Sequence, residues 1–179
     1  TPARSCLLSG QYSRTCTGNL GNDADDPPAR TRTRLLAPTL AECFAQAGYQ
    51  TALIGKWHIH PHPQSVGFQQ ALFPKVPHRY YGQTYYEDDR RFAVETFAPA
   101  FEMARVREYL AAHREEPFFL FYNISPPHMP LGPGHAPAHY SGMYDPAAVP
   151  LRPNVWQDGH LPHDELWFKI YTIWDRYLR

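Results

Sequence analysis

The sequence has little cysteine and no long apolar run. Its 179 residues include three cysteines, Cys6, Cys16 and Cys43, which form no CxxC pair and lack the spacing of a zinc site. Its most apolar stretches, FFLFYNI and LWFKIYTIW, are too short or too interrupted by charge to span a bilayer. We therefore predict neither a zinc centre nor a membrane span from these residues.

An excess of either charge is also missing, since 17 basic residues balance 17 acidic ones. The chain thus lacks the electrostatic footprint of a protein that binds nucleic acid or a membrane surface. With 43% hydrophobic and 15% aromatic residues, its composition is typical of a globular protein. The 19 prolines and 11 glycines indicate many turns, and we expect a loop-rich fold.

Two segments near the start have the pattern of helices. Pro2 stands where helices often begin and Gly10 where they often end, which predicts a short helix between them. Thr39 and Glu42 have the spacing of a capping box before a second helix that ends at Gly48. The apolar run TALIG follows directly and predicts a buried strand.

A second helix and strand follow later in the chain. Met103, Val106 and Leu110 share one helical face, and the continuous apolar run PFFLFYNI comes next. This alternation predicts an α/β fold with a mainly parallel sheet sandwiched by helices. Ligands of such sheets gather beyond the carboxyl ends of the strands, where KWHIH and SPPHMP stand. Residues 60–99 are expected to decorate the sheet, and residues 164–179 have the apolar pattern of a further helix.

Three stretches, TPARSCLLSG, GKWH and PPHMP, occur in an order that resembles the type I sulfatases of the alkaline phosphatase superfamily. The first resembles the CxPxR motif without its leading cysteine, the residue that is oxidised to formylglycine in that family. Pro2 and Arg4 match the motif, and the cysteine would immediately precede Thr1. The resemblance runs from Thr1 to about Pro130. It implies that residues 1–179 are a partial sulfatase catalytic domain with an alkaline-phosphatase-like fold, whose N- and C-terminal portions are missing.

The resemblance implies four catalytic residues, Arg4, Lys56, His58 and His128. In this family a hydrated formylglycine attacks sulfur with one hydroxyl, and its second hydroxyl later expels sulfate. Arg4 would hold this diol, and Lys56 would bridge the diol and a sulfate oxygen. His58 would be the base that drives sulfate release, and His128 the donor or general acid at the leaving-group oxygen. Lys56 and His128 would therefore also bind the substrate.

Cofactors and partners follow from the same resemblance. The family binds a divalent cation, usually Ca²⁺, through segments that this sequence does not contain. Asp25 and Asp26 follow the first motif instead of preceding it, so we assign them no metal role and predict no metal ligand here. The implied partners are a sulfated small molecule or glycan and the maturation enzyme that makes formylglycine, and the implied location is secreted or periplasmic. The 179 residues in isolation are expected to be inactive, because they lack the nucleophile.

Other readings of the same residues stay open. The cationic site also suits a phosphate or phosphonate monoester hydrolase of the superfamily, and a homologue without the nucleophile would bind sulfated glycans without catalysis. His60, His62 and His78 are expected at the surface or at a pocket rim. Cys6 and Cys43 are expected in the core. The tyrosines of RYYGQTYYED either stack on sugar rings or, as we expect, pack within a surface hairpin.

Overall fold

A computed structural model of the chain describes residues 2–17, 28, 35, 37–130, 134–145 and 148. The chain divides into two compact units, Thr1–His128 and Met129–Arg179. Asp25, Asp26 and the predicted helix over residues 164–179 lie outside the described residues. None of the helices formed by the described residues has the length and apolar character needed to cross a membrane.

The helices confirm the start and stop signals of the sequence. They are α1 (Pro2–Ser9), α2 (Ser13–Thr17), α3 (Leu40–Gln46), α4 (Ala98–Ala112) and α5 (Ala138–Ser141), with one 3-10 turn at Pro63–Val66. The predicted capping box of α3 is present, since Glu42 N donates to Thr39 Oγ1 at 3.1 Å and Thr39 N donates to Glu42 Oε2 at 2.8 Å. The Thr39 hydroxyl also donates to Val66 O at 2.6 Å, which ties the start of α3 to the 3-10 turn.

The described residues form a five-stranded sheet in the order β4-β3-β2-β1-β5. Its strands are β1 (Gln50–Gly55), β2 (Gln70–Pro74), β3 (Gln83–Glu87), β4 (Arg90–Val94) and β5 (Phe118–Asn123). Strand β1 is parallel to β2 and to β5. Strand β3 is antiparallel to both of its neighbours, β2 and β4. The α/β prediction is confirmed, and the sheet is parallel in its β2-β1-β5 half.

The expectation that residues 60–99 lie outside the sheet was wrong, because they supply β2, β3 and β4. The buried run Ala71–Phe73 is only a few residues long and is followed by Pro74, so its strand character is weak in the sequence. The tyrosine-rich stretch supplies β3, which forms a hairpin with β4. Tyr85 is fully buried and Tyr86 packs on Phe73 with ring centroids 5.4 Å apart, as the packing interpretation predicted.

The side chains of the sheet alternate between two apolar cores. Leu53 and Trp57 pack on one face with Leu8 of α1 and Ala41 of α3. Ala52 and Ile54 point to the other face, toward Val106 of α4. Helices therefore cover both faces, as the sandwich prediction requires.

The buried face of α4 differs from the predicted one. Met103 and Leu110 are each 39% exposed, whereas Glu102, Val106 and Tyr109 are buried. Glu102 is only 1% exposed, and its Oε1 accepts a hydrogen bond from the Tyr85 hydroxyl at 2.8 Å. Hydrophobic periodicity misplaced the face because it counts every glutamate as a solvent-facing residue.

Candidate active site

The parallel half of the sheet brings three loops to one edge. Strands β2, β1 and β5 run in the same direction, so their carboxyl ends lie side by side. The loop after β1 carries Lys56 and His58, the loop after β2 carries His78, and the loop after β5 carries His128. All four residues belong to the first unit, Thr1–His128.

The turn from β1 into its loop requires glycine. Gly55 has φ +87°, and a Cβ there would lie 2.4 Å from the carbonyl oxygen of Asn123 on β5. The next amide, Lys56 N, donates to the same Asn123 oxygen at 2.8 Å. His58 also has a left-handed backbone, with φ +52°, which is uncommon for a residue other than glycine. These two residues turn the chain sharply on either side of Lys56 and Trp57.

Arg4 reaches this loop from α1. Its Nε donates a hydrogen bond to the carbonyl oxygen of Trp57 at 2.7 Å. Trp57 is itself held in the core, because its ring is buried and its Nε1 donates to Pro61 O at 2.7 Å. The guanidinium therefore stands in a fixed place beside the residues that flank Trp57.

The charges of this cluster act on one another. Burial, and then the charge of Arg4, lower the pKa of Lys56. Burial is also the main reason that the pKa of His58 falls to about 4, and the positive charges of Lys56 and Arg4 add to the effect. His58 is thus neutral near pH 7, inside a region of positive potential that favours an anion.

His128 joins the cluster through His78. Their rings are stacked, with centroids 5.3 Å apart and planes inclined by 24°. Burial, followed by the charges of His128, Lys56 and Arg79, lowers the pKa of His78. The backbone of His128 is also held, because its N donates to Ser125 O at 3.1 Å and its carbonyl accepts from the Tyr80 hydroxyl.

The structure therefore brings the four predicted residues to one edge of the sheet, and their catalytic roles stay predictions. For His78, the sequence predicted only a position at the surface or at a pocket rim, and not its contact with His128. The missing signal was β2: once this segment is known as a parallel strand beside β1, the loop after it must lie at the same edge.

The surface prediction for His60 and His62 was wrong, since both are buried. His62 precedes the 3-10 turn, where its Nδ1 accepts from Gln64 N at 3.4 Å and its ring meets the ring of Phe73 edge-on. Cys43, predicted in the core, is exposed on α3, and Cys6 is half-buried. Cysteine is common in protein cores but also occurs at surfaces, so counting Cys43 as apolar misplaced the buried face of α3.

A cavity of about 170 Å³ opens beside His58. Its lining combines aromatic rings with one cation, namely Trp57, Phe73, Lys75 and Tyr86. Trp57 and Phe73 are almost fully buried, so of these four side chains Lys75 and Tyr86 are the ones that a ligand could contact.

The expected divalent cation finds no site among the described residues. Within that part of the chain, no group of three or more His, Cys, Asp or Glu side chains is arranged to hold a metal ion. Calcium requires several oxygen ligands that converge on one point. The described residues do not fit it.

Comparison with known proteins decides the family. The family model described as Sulfatase matches residues 1–152 of the chain. The chain belongs to the sulfatase family. Curated relatives in this family include an ulvan-active sulfatase from Formosa agariphila, which is 32% identical over 167 residues. An N-acetylglucosamine-6-O-sulfatase from Bacteroides thetaiotaomicron is 28% identical over 163 residues.

Solved structures of the sulfatase family have the same fold. One, a complex with its substrate D-glucosamine-2-N,6-O-disulfate, has a TM-score of 0.64 at 26% identity, covering 88% of this chain and 30% of its own. A Bacteroides fragilis protein has a TM-score of 0.69 at 22% identity, covering 89% of this chain and 41% of its own. These neighbours bear out the alkaline-phosphatase-like fold.

The match covers most of this chain but a minor part of the relatives. It takes in 87% of the chain and 31% of the ulvan-active sulfatase, and 88% of the chain and 26% of the N-acetylglucosamine-6-O-sulfatase. The chain thus spans about a third of the length of these relatives or less.

Proposed function

We propose that the protein is a sulfatase that hydrolyses sulfate esters on carbohydrates. The observation that supports this most is the convergence of Arg4, Lys56, His58 and His128 at one edge of the sheet in a member of the sulfatase family. The names of the relatives, an ulvan-active sulfatase and an N-acetylglucosamine-6-O-sulfatase, support a sulfated glycan as the substrate class.

The cations in the site match the charge that a sulfate ester presents. Negative charge moves onto the leaving oxygen as the sulfur–oxygen bond breaks, so fixed donors around the sulfuryl oxygens lower the barrier. Arg4 and Lys56 are such donors, because one is bonded to Trp57 O and the other is held by its backbone to Asn123 O. The Arg4 guanidinium and the Lys56 backbone are therefore already held in place before the anion binds.

The two predicted proton-transfer residues differ in their surroundings. His58, whose pKa falls to about 4, is neutral near pH 7 and is able to accept a proton as a base. His128 is exposed on the loop after β5, where we assign it the leaving-group side of a bound ester. Ester hydrolysis needs both a base and a proton donor, and these are the roles proposed for His58 and His128.

We further propose that a cysteine precedes Thr1 in the complete encoded protein and that a maturation enzyme converts it to formylglycine. This group would supply the nucleophilic oxygen. It would lie just before α1, whose N-terminal amides favour negative charge and whose first turn carries Arg4. A divalent cation would need ligands from outside the described residues, and a secreted or periplasmic location remains part of the proposal.

The test is hydrolysis by the complete encoded protein. Release of sulfate from para-nitrophenyl sulfate and from a glucosamine 6-sulfate is compared with release of phosphate and phosphonate from matched esters. We expect the sulfate esters to react faster, and His58→Ala to lose on the order of 100-fold or more in kcat/KM. His113→Ala, a histidine at the far end of α4, is the matched control.

Two results would redirect the proposal. Faster turnover of the phosphonate ester assigns the protein to the phosphonate hydrolases of the superfamily. Tight binding of a sulfated glycan without any turnover, together with a residue other than Cys or Ser before Thr1, assigns it to the non-catalytic binders.

A further inference from the structure

The loop after β2 holds His128 by both its ring and its backbone. The His78 ring stacks on the His128 ring at 5.3 Å, and the Tyr80 hydroxyl donates to the His128 carbonyl oxygen. Tyr80 is buried, and its own carbonyl accepts from Ala98 N at the start of α4 at 2.8 Å. Two residues of one loop therefore grip the same residue of another loop.

A single buried amide fixes the part of this loop that carries His78. Gln83, at the start of β3, is 1% exposed. Its Nε2 donates to Val76 O at 2.5 Å and to Arg79 O at 2.9 Å, and its Oε1 accepts from Val76 N at 3.3 Å. His78 lies between these two anchored residues, so its ring is presented from a backbone that is already in place.

We propose that His78 is a positioning residue for His128: its neutral ring, stacked on the His128 ring, orients the proton that His128 delivers to the leaving-group oxygen. This inference rests on the proposed function, which gives His128 the leaving-group side of the ester. As the sulfur–oxygen bond breaks, its electron pair stays on the alcohol oxygen, which takes the proton from His128, and the sulfuryl group passes to the nucleophile.

The charges around His78 keep its ring neutral. His128 faces it from the loop after β5, Lys56 and His58 from the loop after β1, and Arg79 from its own loop. Burial, followed by the charges of His128, Lys56 and Arg79, holds the pKa of His78 below its ordinary value. The ring of His128 lies against the face of this ring, whose π electrons attract a cation.

The experiment compares two substrates of the complete encoded protein. A sugar sulfate leaves as an alkoxide and needs a proton, whereas para-nitrophenyl sulfate leaves as a weakly basic phenolate and does not. We expect His78→Ala to lower kcat/KM for glucosamine 6-sulfate by about tenfold to 100-fold and that for para-nitrophenyl sulfate by less than about threefold. His78→Phe keeps a ring in the stack and is expected to recover most of the lost rate.

Controls separate this inference from the proposed function. Equal losses on both substrates, or no recovery by His78→Phe, overturn the positioning role. If the wild type hydrolyses neither sulfate ester, the proposed function fails, independently of His78. Melting curves verify that each variant folds, and His78→Gln replaces His78→Ala in the comparison if the alanine variant does not.

Discussion

Arg4 Nε donates to the carbonyl oxygen of Trp57 at 2.7 Å, and this bond joins the first helix to the residue between Lys56 and His58. The bond uses one of the several N–H donors of a guanidinium, which leaves others for an anion. Arg4 therefore fixes the loop after β1, and in the proposed function its other donors bind the anion near the start of α1. A lysine at this position would keep the positive charge but lose the planar arrangement of N–H donors, so it tests whether that arrangement matters.

Arg4→Lys is expected to lower kcat/KM for a sulfate ester by on the order of 100-fold to 1000-fold, the cost of losing an oxyanion donor. An ammonium is a point charge without the planar fork of donors, so it cannot bind Trp57 O and an anion at once with the same geometry. Arg14→Lys, an exposed arginine on α2, is the matched control and should keep wild-type rates. Similar rates for the Arg4 variant and the wild type would contradict the role of Arg4.

Gly55→Ala is expected to disrupt the protein more than Gly48→Ala, although both glycines have nearly the same backbone. Their φ values are +87° and +85°, but a Cβ at Gly48 meets nothing within 4 Å, whereas at Gly55 it would lie 2.4 Å from Asn123 O. The backbone strain alone costs about 1–2 kcal/mol, and the overlap with β5 raises the cost at Gly55 to about 3–5 kcal/mol. Melting temperature and sulfatase activity of the two variants provide the measurement. Equal melting temperatures would show that β5 yields to the methyl group.

The elements nearest the site were the most predictable from the sequence. Thr39 and Glu42 predicted the start of α3, because a capping box is a local interaction between residues three positions apart. TALIG predicted β1 because a strand buried on both faces is a continuous apolar run. PFFLFYNI predicted β5 by the same apolar continuity, although β5 lies at the edge of the described sheet and is only partly buried. The motif resemblance then placed Arg4, Lys56, His58 and His128, whose convergence depends on these same elements.

The rest depended on contacts between distant residues. The burial of Glu102 depends on Tyr85, and the position of His78 depends on the pairing of β2 with β1. Neither pairing leaves a mark in a local pattern of hydrophobicity. For the same reason His60 and His62 read as polar loop residues, although Phe73 and the 3-10 turn enclose them.

The pH dependence of activity should reflect the low pKa of His58. A base must be unprotonated to act, and His58 has a pKa of about 4 because burial and the charges of Lys56 and Arg4 disfavour its charged form. We therefore expect kcat for a sulfate ester to stay level as the pH falls through 6.5, the ordinary pKa of histidine, and to decline only at lower pH. Removing one of these positive charges with Lys56→Met should raise the His58 pKa.

Titration of the His58 signal by NMR, identified by its loss in His58→Ala, measures this pKa independently of activity. Arg114→Met, which removes an exposed positive charge beyond the end of α4, serves as the control. If kcat falls on the acid side with a midpoint near pH 6.5, and the His58 signal titrates at the same pH in the wild type, then burial and neighbouring charges do not lower the His58 pKa.

The burial of Glu102 should make the stability of the folded protein decrease as the pH rises. Burial raises the pKa of Glu102 from 4.5 to about 7, although the hydroxyls of Tyr85 and Tyr122 favour its ionised form. A raised pKa means that the folded protein binds the proton more tightly than the unfolded chain. Its stabilising effect is therefore complete below about pH 4.5 and is lost as the pH rises to about 7.

Glu102→Gln mimics the protonated carboxyl at every pH and should remove this dependence. The variant is expected to match the wild type at pH 4 and to exceed its unfolding free energy by up to about 3 kcal/mol above pH 7, as the size of the pKa shift requires. Urea unfolding at a series of pH values gives the measurement, with Glu115→Gln, an exposed glutamate beyond α4, as control. A variant that is less stable than the wild type at pH 8 would mean that the ionised Glu102 is satisfied in the core, and that the hydrogen bond from Tyr85 outweighs the cost of burying its charge.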